Sequence, residues 1–158
     1  MITKQDYRDG MARLATAVNV VTSDGPAGRG GFTASAVCSV TDEPPTLLVC
    51  VNLSSRQADI LRGNGVLCVN TLAYGQAEIA ARFSTRDLTV EKRFEGAHWS
   101  SLATGAPVLQ GALAAFDCRI VERLERRTHA VILCEVEAAR TEAGRALVYF
   151  DRGFRRLD

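Results

Sequence analysis

The 158-residue sequence has no apolar run of about 18 residues, the length a membrane-crossing helix needs. Its opening residues, Met1-Ile2-Thr3-Lys4-Gln5-Asp6, are polar and lack the apolar core of a secretory signal. Neither charge is in surplus: 19 basic and 18 acidic residues leave a net charge of +1. Binding to duplex nucleic acid draws on a basic face, so nucleic acid is not an expected partner, and neither is a membrane. Four prolines and thirteen glycines, without a repeat, exclude collagen-like and Pro-rich architectures.

The chemistry-bearing residues are sparse too. The five cysteines, Cys38, Cys50, Cys68, Cys118 and Cys134, are odd in number and form no CxxC. Each lies in an apolar, strand-like stretch, which reads as a small buried hydrophobe in a reducing cytoplasm rather than a disulfide or zinc ligand. There are two histidines, His98 and His129, and no HExxH, so no metal is expected. The absence of G-x-S-x-G argues against a hydrolase nucleophile. The absence of a P-loop and of a strand-helix GxGxxG excludes a Rossmann dinucleotide unit.

What is present is an ordinary globular composition, 47% hydrophobic and 23% charged. A chain this long forms one domain, expected over 1–158, and buries roughly 70% of the surface its unfolded form exposes. Tyr7, Met11, Leu14, Ala15 and Val18 recur at helical spacing, and Thr3 with Asp6 offers a capping box. Asp24-Gly25-Pro26-Ala27-Gly28 predicts a hairpin turn. One alternating strand is expected through Phe32, Ala34, Ala36, Cys38 and Val40, stopped near Pro44-Pro45. Thr46 to Val51 is continuously apolar, predicting a strand covered on both faces. A short helix over about 57–62 ends at Gly63-Asn64-Gly65, a strand covers 66–70, and a helix spans about 76–83. Residues 84–107 read as a long loop with short helical turns, more often functional than accidental at that length. Strand patterns follow at 108–109, 112–125, 129–138 and 145–150. Six or more mostly consecutive strands with short helices predict a mainly β, antiparallel barrel or sandwich.

Two local features invite a ligand. Ser54-Ser55-Arg56 stands at a strand-to-helix junction, where unpaired N–H groups, a positive dipole end, hydroxyls and a guanidinium can seat a phosphate. A plain helix cap followed by a solvated arginine is the commoner meaning of the same three residues. Gly30-Gly31 beside Thr33 and Ser35 would let a flat ring approach the backbone, or would simply form a hairpin with a polar outer face.

The ordered series Gly31-Phe32-Thr33-Ala34-Ser35-Ala36-Val37-Cys38-Ser39-Val40, Pro44-Pro45 and Cys50-Val51-Asn52-Leu53-Ser54-Ser55-Arg56 resembles the flavin reductase-like family. Cys68-Val69-Asn70, Ala80-Ala81-Arg82-Phe83, Gly111-Ala112-Leu113-Ala114, Cys118, Thr128-His129 and Leu147-Val148-Tyr149-Phe150-Asp151-Arg152-Gly153 continue the resemblance over about residues 5–156. More narrowly it is similar to the reductase components of two-component flavin-dependent monooxygenases, a group that includes the 4-hydroxyphenylacetate 3-monooxygenase reductase.

The resemblance implies an antiparallel, Greek-key FMN-binding split β-barrel working as a homodimer. It would oxidise NADH or NADPH, reduce FMN or FAD, and release the reduced flavin to a separate monooxygenase. Gly31, Phe32, Thr33, Ala34, Ser35 and Ala36 would line the flavin, and Cys50, Val51 and Asn52 would meet its ring edge. Ser55, Arg56 and Gln57 would hold its phosphate, with Arg82 and Phe83 completing the pocket. His129, the one residue assigned to catalysis, would face the nicotinamide with Tyr149, Phe150, Asp151 and Arg152. Hydride passes directly between stacked rings, so no acid–base dyad is needed. Two positions depart from the pattern: Arg127 stands where glycine is common, and Phe154 where tyrosine is common. The alternatives are a barrel that stores flavin or carries electrons without reductase activity, and an oxidase of the pyridoxamine-phosphate type, whose basic phosphate ligands are not matched.

Overall fold

A computed structural model of the chain describes residues 1–157. Helix α1 (Lys4–Met11) opens with the expected capping box: Thr3 Oγ1 accepts from the Asp6 N–H at 3.1 Å, and the Asp6 carboxylate accepts from the Thr3 N–H at 3.2 Å. None of its residues is buried, so Tyr7 and Met11, and Leu14 beyond its end, remain exposed instead of facing a core.

Strands β1 (Thr16–Ala17), β2 (Asn19–Ser23), β3 (Gly30–Ala34), β4 (Val37–Asp42) and β5 (Pro45–Asn52) follow. Helix α2 (Arg56–Asn64) is ended by Gly65 at φ 68°, the left-handed cap that glycine takes without steric cost. Then come β6 (Val66–Thr71), a single 3₁₀ turn (Tyr74–Gln76), α3 (Ala77–Ser84) and α4 (Val90–Phe94). The chain finishes with β7 (Trp99–Ser100), β8 (Val108–Leu109), β9 (Ala114–Arg126), β10 (His129–Thr141), β11 (Ala146–Phe150) and β12 (Gly153–Leu157).

Seven strands form one antiparallel sheet in the order β3-β2-β6-β9-β10-β5-β4. The expected single strand from Phe32 to Val40 is interrupted at Ser35-Ala36. Its first half pairs with β2 and its second half with β5, so the bend turns the sheet back on itself. The Cys50 N–H donates to the Ala36 carbonyl at 3.0 Å across that corner. The result is the antiparallel split barrel that the sequence resemblance implied. Val21, Val49, Val51, Leu67, Val69, Ile132 and Cys134 fill its interior, with Ala58 and Leu61 of α2 in the same cluster. A second cluster packs Phe83 of α3 and Phe94 of α4 against Val18, Val20, Leu72, Leu109 and Leu147.

β5 differs from its expected two-sided burial. Leu47, Val49 and Val51 are buried, but Leu48 and Cys50 are only half-buried. The register aligns Cys38, Leu48 and Leu133 across one rung of the outer face, and Cys50, Val131 and Leu124 across the next. Residues paired across a ladder share a face. The third rung is Asn52, His129 and Arg126.

β1, β11 and β12 form a smaller sheet. The β11–β12 turn places Asp151 at φ 47° and Arg152 at φ 61°. It is fastened to α1: the Asp151 N–H donates to the Ala12 carbonyl at 2.8 Å, Arg152 bonds the Asp9 carboxylate, and Arg13 lies 3.6 Å from Asp151.

Candidate functional site

Three adjoining cavities open around Thr33, which lines all of them. The largest, about 560 Å³, lies between Ser54, Ser55 and Arg56 on one side and Phe83 and the segment after it on the other. A second, about 280 Å³, runs along Ala34, Ser35 and Ala36 to Cys50, Asn52 and His129. The third, also about 280 Å³, is closed by Tyr149 and Phe154, whose rings meet edge to face at 5.7 Å.

The lining of the largest cavity is cationic. Arg56, Arg86 and Arg93 contribute to its wall, and no aspartate or glutamate does. Guanidinium groups with no carboxylate among them make the wall positive. Ser55 caps α2, its hydroxyl accepting from the Gln57 N–H at 3.3 Å. The Asn52 side-chain carbonyl accepts from the Ser54 N–H and hydroxyl, each at 2.9 Å, and fixes the turn leading into the helix. The cap expected of Ser54-Ser55-Arg56 is thus present, and the same three residues line the cavity.

Close packing constrains both Gly30 and Gly31. A Cβ on Gly31 would lie 2.7 Å from the Phe83 ring, and one on Gly30 would collide with Gln57 and Ile60. Gln57 is 9% exposed, and its side-chain carbonyl accepts from the Gly31 N–H at 2.7 Å. It borders the cavity as a brace between α2 and β3. Thr33 likewise donates its hydroxyl to the Ala80 carbonyl at 2.6 Å, tying β3 to α3. The side chains of Ala34 and Val51 belong to the barrel core. Burial pushes the Cys50 thiol up, so this cavity-lining cysteine has none of the activation a nucleophile needs.

His129 is exposed at the first position of β10, opposite Asn52, with its Nδ1 2.9 Å from the Thr128 hydroxyl. Arg127, in the preceding turn, takes φ 50°. Glycine takes that left-handed conformation without steric cost, so at this position the chain holds arginine in a backbone shape that favours glycine. His129 and Tyr149 open on different cavities, which adjoin at Thr33, Ala34 and Ser35.

Five expected site residues do not line the cavities: Gly31, packed against Phe83, and Arg82, Phe150, Asp151 and Arg152. Arg82 follows its helix round to the other side, donating to the Glu95 carbonyl, because successive helical residues point about 100° apart and Phe83 takes the inward direction. Phe150 points to the opposite face of β11 from Tyr149, by strand alternation. Asp151 and Arg152 are spent on the bonds to α1.

Arg86 and Arg93 escaped sequence reasoning. Their segment has no period, and nothing in a sequence marks Arg93 as buried or Arg86 as facing a cavity; the only signal was the length of the irregular stretch. The same stretch places Trp99 against Phe83 and Phe94, with its indole N–H donating to the Phe94 carbonyl at 3.0 Å.

A family profile described as flavin reductase like domain matches residues 11–158. The chain is 54% identical over 154 residues to the FMN reductase (NADH) RutF of Ancylobacter novellus, covering 97% of this chain and 84% of that one. Its fold is similar to that of BorF, the flavin reductase component of a bacterial two-component tryptophan halogenase. There the TM-score is 0.91, identity 30% and coverage 98% of both chains. It is equally similar, with TM-score 0.91 and 28% identity over 100% of this chain and 96% of the other, to the Streptomyces globisporus NADH:FAD oxidoreductase SgcE6 in complex with NAD and FAD fragments.

Proposed function

The chain belongs to the flavin reductase like domain family, and on that premise we propose that it is an NADH-dependent FMN reductase that hands reduced flavin to a separate monooxygenase. The observation that carries this reading is the three-part cleft around Thr33: an arginine- and serine-lined end without carboxylates, joined to a wall of small residues and to an aromatic pair. Its parts have the size of small-molecule sites. The donor set fits a phosphate monoester, and the Ala34–Ala36 wall leaves room for a flat ring.

Bound together, nicotinamide and flavin supply the hydride donor and acceptor, and the reacting atoms must come within about 3–3.5 Å. The chain's own residues position them. Ser54, Ser55, Arg56 and Arg86 hold the phosphate. Ala34, Ser35, Ala36, Cys50 and Asn52 border the flavin ring. His129 orients the nicotinamide from one edge, with Tyr149 closing the adjoining pocket. No side chain is needed to move a proton in the hydride step.

We infer in addition that the working form is a homodimer. The outer face of β5, β10 and β9 leaves Leu48, Val131 and Leu133 half-buried and Leu124 46% exposed, and it runs directly into the Cys50–His129 wall of the cleft. A second copy on this face would supply the missing cover and complete the site. The five unpaired thiols support a reducing, cytoplasmic setting, and among the described residues no helix is long and apolar enough to cross a membrane.

Anaerobic mixing tests the reading. With catalytic amounts of protein, NADH should bleach a large excess of free FMN. Bleaching that stops at one flavin per chain would instead support a barrel that holds flavin as an electron carrier.

A further inference from the structure

Arg93 is 7% exposed, yet its guanidinium meets no carboxylate among the described residues. Its N–H groups go entirely to backbone carbonyls. Nη1 donates to Phe83 at 2.8 Å and to Gly31 at 3.4 Å. Nη2 donates to Thr85 at 2.7 Å and Arg86 at 3.2 Å, and Nε donates to Leu88 at 3.3 Å. A buried guanidinium is tolerated only when its donors are satisfied, and here five donors meet five acceptors. Burial lowers the Arg93 pKa, but the group keeps its charge.

The five carbonyls are not a random set. Four lie within residues 83–88, which form the wall of the largest cavity facing α2, and the fifth belongs to β3 beneath it. A segment with few backbone bonds of its own is thereby pinned to the barrel by one side chain. The held segment carries Arg86, which is exposed and lines the same cavity as Ser55 and Arg56.

We propose that Arg93 is a positioning residue for flavin specificity. By gripping the 83–88 carbonyls it presents Arg86 to the anion seat, so that the site takes a flavin bearing a phosphate in preference to riboflavin. The inference rests on the flavin reading of the cleft. A lysine at position 93 would keep the charge but could satisfy only part of the carbonyl set. The wall would then loosen, and Arg86 would no longer be held against the phosphate.

The test is equilibrium binding of FMN and of riboflavin to the full chain, followed by quenching of Trp99, the sole tryptophan, which lies 5.7 Å from the cavity-lining Phe83 ring. Arg86→Ala should weaken FMN about tenfold, the size of one charge-assisted contact, and leave riboflavin unchanged. Arg93→Lys should show the same selective loss, and adding it to Arg86→Ala should cost nothing more for FMN. Equal weakening of both flavins by Arg93→Lys, or full additivity of the two substitutions, would reduce Arg93 to a structural brace and overturn the proposal. If Arg93→Lys does not fold, Arg86→Ala decides alone: an unchanged preference for FMN overturns it. A wild-type chain that binds neither flavin contradicts the reading of the site itself, a separate outcome.

Discussion

Gly31 shows how tightly single positions are constrained at this site. Its α-carbon faces the Phe83 ring, and its N–H is held by Gln57. Gly31→Ala places a methyl 2.7 Å from that ring and 3.0 Å from the Val21 carbonyl, so either Phe83 or the strand must shift. Overpacking of this kind costs roughly 1–3 kcal/mol, which a shift of the denaturation midpoint at unchanged slope would report. Flavin affinity should fall with it, because Phe83 is part of the cavity. His129 belongs to a different class. It is exposed and bonded only to its neighbour Thr128, so His129→Ala should leave stability and FMN binding intact while slowing NADH oxidation about 10- to 100-fold through misplacement of the nicotinamide. Unchanged turnover would remove it from the site. Residue types were legible where local chemistry dictates them: Ser55 as a cap and Gly65 as a helix stop both follow from backbone geometry. The roles of Arg82, Asp151 and Arg152 were not, since each depends on partners that only the fold supplies.

At the scale of elements, the periodic segments were readable and the exceptions are instructive. The alternation from Phe32 to Val40 shows which side chains share a face, but not that the strand changes partner at Ser35-Ala36, because pairing with β2 and β5 is non-local. The apolar run from Thr46 to Val51 promises two covered faces, whereas the single chain covers one. That mismatch points to the second copy. Val131, on the middle rung of the exposed face, is the place to test it. Val131→Glu should shift the protein to monomer in sedimentation and weaken flavin binding, while the single-chain fold, which does not use this face as core, persists. A dimer that survives the substitution would place the interface elsewhere. β12 escaped prediction altogether: Arg155 and Arg156 leave it no apolar alternation, and only its pairing with β11 defines it.

For the whole molecule, the buried thiols give a pH dependence of known sign. Burial pushes all three of Cys68, Cys118 and Cys134 up, Cys134 to about 12. In the unfolded chain the same thiols ionise near their ordinary value of about 8.5. Above that pH the unfolded state loses protons that the folded state keeps, so stability is full below it and declines as pH rises toward the folded value. Denaturation midpoints should therefore fall steadily through the alkaline range. Thiol titration of the native protein should find Cys38 readily and these three only after unfolding; fast native reaction at all five would contradict the buried arrangement.

The account's central claim is that this barrel passes hydride from NADH to an exchangeable FMN. The most direct measurement is NADH oxidation under air by protein stripped of flavin, followed through the loss of nicotinamide absorbance as FMN is added. The rate should be negligible without FMN, rise with it and saturate, because flavin is turned over as a substrate. FMN that binds while NADH is not consumed at any flavin concentration would contradict the claim, and with it the placement of His129 and Tyr149.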